Sequence, residues 1–320
     1  MAAVLLLAWW RATSAAAPDA APDPWCAECN YNGRCLPRDG RAASSCLCDA
    51  AWRGQACDEL ALEASDASLG YQGRSEGQNV TSWGGSVVVA DDGTFHMYAA
   101  EITGHCGMNV WLSNSQVIHA SSPDPRTVPF ERVGVVAPVF AHEPIAARAP
   151  TGEFVVYYTA VPPPLPLPVK GGLTCTNCSH GRSPALCGTD SNRNASIMLP
   201  TFMVWSKDPA GPWSIPIEIP GTDVFADSNF APVINKNGSV VGLMRGNVIA
   251  ADHWRDPESY RVAGQWHDEG EDPMVYKDPR GVYHNIVHVK RANTHGLHYY
   301  SVDGVNWTAA AGQACECMPL

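Results

Sequence analysis

Four short segments, remote from one another in the chain, carry the side chains best suited to acid–base or ligand chemistry. They are Trp83-Gly-Gly-Ser86, His142-Glu143-Pro144, Asp227-Ser-Asn229-Phe-Ala-Pro232 and Glu271-Asp272-Pro273. Carboxyl groups in pairs can divide the work of proton donor and proton acceptor. A tryptophan beside two glycines offers a flat apolar face with room for a close approach. Each segment also has a plain structural reading, because Asp before Pro is a common turn or strand-end cap and Trp83 could equally fill a core. What sets the four apart is that each opens the same kind of unit.

Each opening leads through a strand to a glycine-bearing turn: Asp91-Asp-Gly93, Pro150-Thr-Gly152, Asn235-Lys-Asn-Gly238 and Asp278-Pro-Arg-Gly281. Such residues reverse a chain through left-handed backbone geometry or side-chain bonds to the backbone. After each turn comes an aromatic, β-branched run such as Glu153-Phe-Val-Val-Tyr-Tyr-Thr159 or Val282-Tyr-His-Asn-Ile-Val-His288, the composition of a half-buried strand. A tail follows in which a Ser or Ala near an Asp leads to an aromatic residue, as in Ser206-Lys-Asp208 to Trp213 and Ser301-Val-Asp303 to Trp307. The unit recurs at roughly 40 to 60 residues, which predicts an all-β fold, a β-propeller with four strands per blade. A stacked β-sandwich is the competing architecture. In a propeller the four openings line one funnel, and their polar side chains form a single pocket.

At this point the sequence resembles the five-bladed propeller glycosidases, the superfamily that contains family 43 glycoside hydrolases. The resemblance rests on the Pro-marked blade openings, above all Gly270-Glu-Asp-Pro-Met-Val-Tyr-Lys-Asp278, and on the Gly211-Pro-Trp213 tail, and it covers residues 80 to 308. It implies acid, base and modulating carboxylates on the inner strands of different blades. Glu271 is then the general acid, with Asp272 beside it and Asp227 and Glu143 as the other carboxylates, while Trp83, His142 and Asn229 contact the sugar. Glycoside cleavage needs two such groups across the scissile bond. Blade one departs from the pattern, with Trp83, Gly84, Gly85 and Ser86 where the family places its basic Asp; Glu101 is a candidate to fill that place. Four blades are recognisable where the resemblance implies five, so the ring is expected to be open or cut short. The residues assign no cofactor, although the channel of such a propeller has room for a divalent cation. His284, His288, His295 and His298 have the spacing of a metal site, but structural histidines are the commoner reading. Two functions follow: a glycosidase, or a silent propeller that binds glycans or glycoproteins without cleaving them.

The chain of 320 residues is 45% hydrophobic and 17% charged, enough for a large core. A net charge of −11 without clustered Lys and Arg argues against a nucleic-acid surface, and no basic stretch suggests a membrane surface. Residues 1–17 read as a signal peptide, with an apolar run from Ala2 to Trp10 too short to span a bilayer and a small-residue cleavage site near Ala15 to Ala17. Sequons at Asn79, Asn177, Asn194, Asn237 and Asn306, together with 12 cysteines, make a secreted, oxidising setting the natural reading. Residues 24–58 hold Cys26, Cys29, Cys35, Cys46, Cys48 and Cys57, a spacing similar to an EGF-like domain. By counting alone six cysteines leave fifteen connectivities open. The resemblance implies Cys26–Cys35, Cys29–Cys46 and Cys48–Cys57, no calcium, and a module that could meet another extracellular protein. Residues 59–80 read as a linker and 81–320 as the propeller, interrupted by a Pro- and Cys-rich loop over 161–196. Cys175, Cys178 and Cys187 in that loop, with Cys106, are expected to form two disulfides in preference to a zinc site.

Overall fold

The computed structural model describes residues 24–36, 45–64, 66–71, 73, 80–108, 111–160, 199–223, 229–266, 270–289, 292–310 and 315–316. The signal-peptide stretch, the 161–196 loop, Asp227 and the sequons at Asn79, Asn177 and Asn194 lie outside them, as does the side chain of Cys26 and with it the Cys26–Cys35 pairing. The fold is all-β, with a four-blade β-propeller arrangement in which each blade is an antiparallel meander whose strands pair in chain order. A small two-hairpin module precedes the blades, built from β1 (Gly33–Leu36) with β2 (Ser45–Cys48) and β3 (Trp52–Arg53) with β4 (Glu59–Leu60). Blade one is β5 (Thr81–Val89), β6 (Phe95–Ile102), β7 (Ser115–Ser122) and β8 (Glu131–Ala137). Blade two is β9 (Ala141–Arg148), β10 (Phe154–Ala160), β11 (Thr201–Ser206) and β12 (Ile217–Glu218). The third sheet is β13 (Ala231–Ile234), β14 (Val240–Met244), β15 (Asn247–Ala251) and β16 (Arg261–Gln265). The fourth is β17 (Gly270–Lys277), β18 (Tyr283–Val289), β19 (Ala292–Ser301) and β20 (Thr308–Ala309), with β21 (Cys315–Glu316) also on β19. Among the described residues, no helix is long and apolar enough to cross a membrane.

The turns and tails form for local reasons. Gly93, Gly152, Gly238 and Gly281 all sit at positive φ and donate their N–H to the carbonyl three residues back. In the last tail, Asp303 Oδ1 accepts from the backbone N–H of Val305 and Asn306 at 2.8 Å each. Asp208 and Asp124 make the same kind of bond in their own tails, to Ala210 and Arg126. These bonds give the chain a reversal that needs no help from distant residues.

The chain divides into two compact units. One comprises residues 65–240 and 249–262, the other the N-terminal module, Val241–Val248 and the chain from Ala263 onward. In the first unit, Tyr98, Val117, Ala141, Val156, Tyr158, Phe202 and Val204 form the core between blades one and two. Apolar side chains recur at every second position of β6, β10 and β11, so each strand feeds a buried face.

In the second unit, the N-terminal module is packed against blade four. Cys29 is bonded to Cys46 and Cys48 to Cys57. These sulfurs and Trp52, 6% exposed, pack with Ile286, Met274 and Tyr276 of the blade. The turn residue Arg280 reaches into the module, donating to the carbonyls of Gly33 (3.0 Å) and Tyr31 and to Asp49 (2.6 Å) while also holding Asp278 (2.7 Å). The stretch read as a linker thus begins with a strand of the module, β4, paired to β3. Arg280→Ala would strip a charge partner from Asp278, 7% exposed, and donors from two carbonyls. A loss of about 2–4 kcal/mol is expected in urea melts. Arg280→Lys should recover little of it, because a point charge cannot replace the planar fork.

Candidate functional site

One backbone feature marks all four blade openings. Gly84 (φ 57°), Glu143 (φ 46°), Asn229 (φ 45°) and Asp272 (φ 53°) lie in the left-handed region. In blades one, two and four the ladder slips at this residue, between Trp83 and Gly85, opposite Tyr157 to Thr159, and between Glu271 and Met274. These are β-bulges, which re-aim a side chain away from the strand's alternation. Pro144 and Pro273 directly follow, where the interrupted ladder has no use for an N–H. A non-glycine residue at positive φ costs of order 1 kcal/mol and persists when its surroundings hold it there.

Glu143 is held in the first unit by donors from two other blade openings. Its Oε1 accepts from the Trp83 indole Nε1–H at 3.0 Å, and its Oε2 accepts from the Asn229 amide Nδ2–H. Its side chain is 10% exposed. Beside it, Gly84 and Gly85 form an exposed shelf. A Cβ on Gly85 would come within 2.5 Å of the Tyr98 carbonyl oxygen, so that position tolerates only glycine. Gly84 differs: a Cβ there would meet nothing nearer than Glu143 Cγ at 3.3 Å. The opening of blade one is thus bare at the position where the other three carry Glu, Asn and Asp.

His142 is not placed to touch a ligand, contrary to expectation. It is 2% exposed, stacks on Trp111 with ring centroids 4.8 Å apart, and shares a 2.7 Å hydrogen bond between Nδ1 and Ser115 Oγ. Burial pushes its imidazole down to about 3, so it is neutral, and its Nε2 lies 3.8 Å from Glu143 Oε1. It is a support behind Glu143. Glu101 does not fill the blade-one place either. It is 3% exposed and engaged by Tyr71 Oη, from the chain ahead of the blade, and by Gln116 Nε2 (2.8 Å) and Arg132 (3.3 Å) within it.

The blade-four candidates form a second cluster, in the second unit. His288, the strand partner of Glu271, lies with Nε2 3.6 Å from Glu271 Oε2 and Nδ1 3.4 Å from Asp272 Oδ2. Arg245 donates to Glu271 Oε1. Hydrogen bonding to His288, then the Arg245 charge, bring the Glu271 carboxyl down to about 2 against the opposing effect of burial. The general-acid role read for Glu271 asks for the opposite shift, a carboxyl raised toward neutrality. The nearby Glu271 carboxylate, which accepts from the ring, raises the imidazole of His288 in turn. Neither Arg245 nor His288 was singled out for this cluster from sequence. His288 could have been found from its register opposite Glu271, whereas Arg245 sits in a tight turn that carries no signal.

Of the histidine set, His284 and His298 meet each other, Nδ1 to Nε2 at 3.0 Å, and His298 Nδ1 lies 3.4 Å from Asn32 Nδ2 of the module. The side chain of His295 lies outside the described residues. Among the described residues, no group of three or more His, Cys, Asp or Glu side chains is arranged to hold a metal ion. Cys106 is disulfide-bonded to a partner outside the described residues.

No protein-family model matches the chain, and no curated protein matches it. Solved structures of similar shape include a family 117 glycoside hydrolase produced by the marine bacterium Zobellia galactanivorans. It is 14% identical, with a TM-score of 0.49 over 74% of this chain and 70% of that one. An exo-β-1,3-galactanase from Phanerochaete chrysosporium, with galactose, is 13% identical, with a TM-score of 0.49 over 79% of this chain and 53% of that one. An exo-β-1,3-galactanase from Clostridium thermocellum is 14% identical, with a TM-score of 0.49 over 74% and 49%. The chain spans about half the length of the two galactanases.

Proposed function

We propose that this chain is a secreted carbohydrate-active protein of the glycoside hydrolase kind, with Glu143 as the carboxylate that meets the sugar. The observation that carries the reading is the bulge at Glu143. It holds a carboxylate at positive φ, fixed by the Trp83 indole and the Asn229 amide, beside the open Gly84–Gly85 shelf. A carboxylate oriented by two N–H donors is prepared to stabilise positive charge at an anomeric carbon, and it need not reorganise as that charge develops. The half-buried Trp83 offers a ring face to the C–H face of a pyranose. Cleavage requires a second carboxyl group.

A second reading is glycan binding without cleavage. It is favoured by the bare Gly84 position and by the engagement of Glu101 within blade one. Under either reading the N-terminal module is EGF-like, and another extracellular protein is the partner it would meet. The deciding experiment screens the secreted protein against aryl glycosides and, by calorimetry, against oligosaccharides. Hydrolysis that disappears in Glu143→Gln supports the enzyme. Saturable binding without turnover, weakened by Glu143→Gln, supports the second reading. Neither turnover nor binding defeats both.

A further inference from the structure

Two of the five sequons fall on described residues, and their local geometries differ in the atom that matters. Asn237 is exposed at the tip of the turn between β13 and β14. Its Oδ1 accepts from the Ser239 hydroxyl at 2.8 Å and from the Ser239 backbone N–H at 3.1 Å. The turn is closed by Gly238 N–H to Asn235 O at 2.9 Å and Asn235 N–H to Ser239 O at 2.8 Å. Every one of these bonds lies within Asn235–Ser239, so the turn can form in a segment that has not yet packed. Asn306 is also exposed, but its Nδ2 donates to Asp303 Oδ2 at 2.7 Å and its backbone N–H to Asp303 Oδ1 at 2.8 Å. There the turn spends the amide nitrogen itself. The residue that follows is folded back as well, with Trp307 Nε1 donating to the carbonyl of Gly304 at 3.1 Å.

We propose that Asn237 is an N-glycosylation site of this protein and that Asn306, despite its matching sequon, goes largely unmodified. In the transfer, Nδ2 of Asn237 forms a bond to the anomeric carbon of a lipid-pyrophosphate-linked oligosaccharide. The carbon–oxygen bond to the pyrophosphate breaks, its electron pair leaves on that oxygen, and Nδ2 gives one proton to a base of the transferase. An amide nitrogen is a weak nucleophile, and charge gathers on Oδ1 as the proton departs. The two Ser239 donors stabilise that charge, and among the described residues no hydrogen bond engages Nδ2. At Asn306 the proton is held by a carboxylate that also anchors the turn through the N–H of Val305 and the Ser301 hydroxyl. The β13–β14 turn is at the end of β13 away from Asn229.

The inference rests on the secreted reading but not on the glycosidase one. The full chain is expressed in a secreting eukaryotic cell, deglycosylated with peptide N-glycosidase in heavy-oxygen water, and mapped by peptide mass spectrometry. Asn237 is expected as heavy-oxygen Asp in most molecules and Asn306 in a minority. Asn237→Gln and Ser239→Ala should each remove one glycan-sized step of gel mobility, whereas Asn306→Gln should remove none. Ser239→Thr, which keeps the hydroxyl, should keep the step. Unmodified Asn237, or Asn306 modified to the same extent, overturns the proposal, whether the peptides come from the medium or the cell. A chain that stays in the cell yet carries the Asn237 glycan supports the proposal and counts against secretion alone. If the variants are not recovered, the wild-type peptide map decides.

Discussion

Glu143→Gln is expected to lower hydrolysis of any responsive glycoside on the order of 10³-fold, the scale lost with one preorganised electrostatic group. The substitution keeps the shape and the Trp83 contact, but it turns one oxygen into an NH₂ group. That NH₂ would face either the Trp83 N–H or the Asn229 NH₂, and a donor opposed to a donor in a buried place costs about 1–3 kcal/mol. Loss of activity alone would therefore not separate a broken site from a weakened fold. The pair Glu143→Gln with Asn229→Asp does separate them. An aspartate tolerates the left-handed backbone at 229 and supplies the acceptor that the introduced glutamine's NH₂ needs. The double variant is expected to regain most of the lost stability in a thermal melt and none of the lost turnover. Turnover that returns with stability would reduce Glu143 to a packing role.

Acid should destabilise this protein well before its carboxylates protonate. Burial pushes His142 down to about 3 and His119, paired with His96 at 2.9 Å, down to about 4, from an ordinary value of 6.5. Below 6.5 the unfolded chain takes up protons that the folded chain refuses. The stability these two supply is complete above that pH and drains as pH falls toward the folded values. At pH 5 each contributes a loss of roughly 2 kcal/mol, so about 4 kcal/mol together. For Glu271 the loss starts lower, as pH falls below 4.5 toward its folded value of about 2. Calorimetry at pH 7.5 and pH 5 is expected to show a clearly lower midpoint in acid. His119→Gln, which removes the group that would charge, should shrink the difference. Equal midpoints would mean that neither imidazole is held neutral by the fold.

The sequence showed most where the physics is local. The turns at Gly93, Gly152, Gly238 and Gly281 and the Asp-bearing tails close on themselves within a few residues, so their composition announces them. The prolines at 144 and 273 likewise marked the bulged openings, because a proline suits a place where the ladder has slipped. What the bulges hold was not legible. Trp83 and Asn229 are 60 and 86 residues from Glu143, and nothing in either segment says which atom will face which. His142 and Glu143, neighbours in sequence, looked alike as ligand contacts. Only burial parted them, the imidazole going behind the carboxylate. Glu271 read as an acid with no sign of Arg245 and His288 beside it, although a carboxyl group's readiness to give a proton depends on its neighbours. Arg280 read as one residue of a turn, and its reach into the disulfide module depends on a contact no spacing rule contains.

The central claim is that a sugar occupies the space beside Glu143 and the Trp83 ring. It is tested most directly by the indole N–H resonance of Trp83, assigned by its disappearance in Trp83→Phe, in a titration with oligosaccharides that the protein binds or cleaves. A saturable shift of that resonance, lost in Glu143→Gln, is the predicted result. A resonance that stays in place while such a sugar is bound would contradict it.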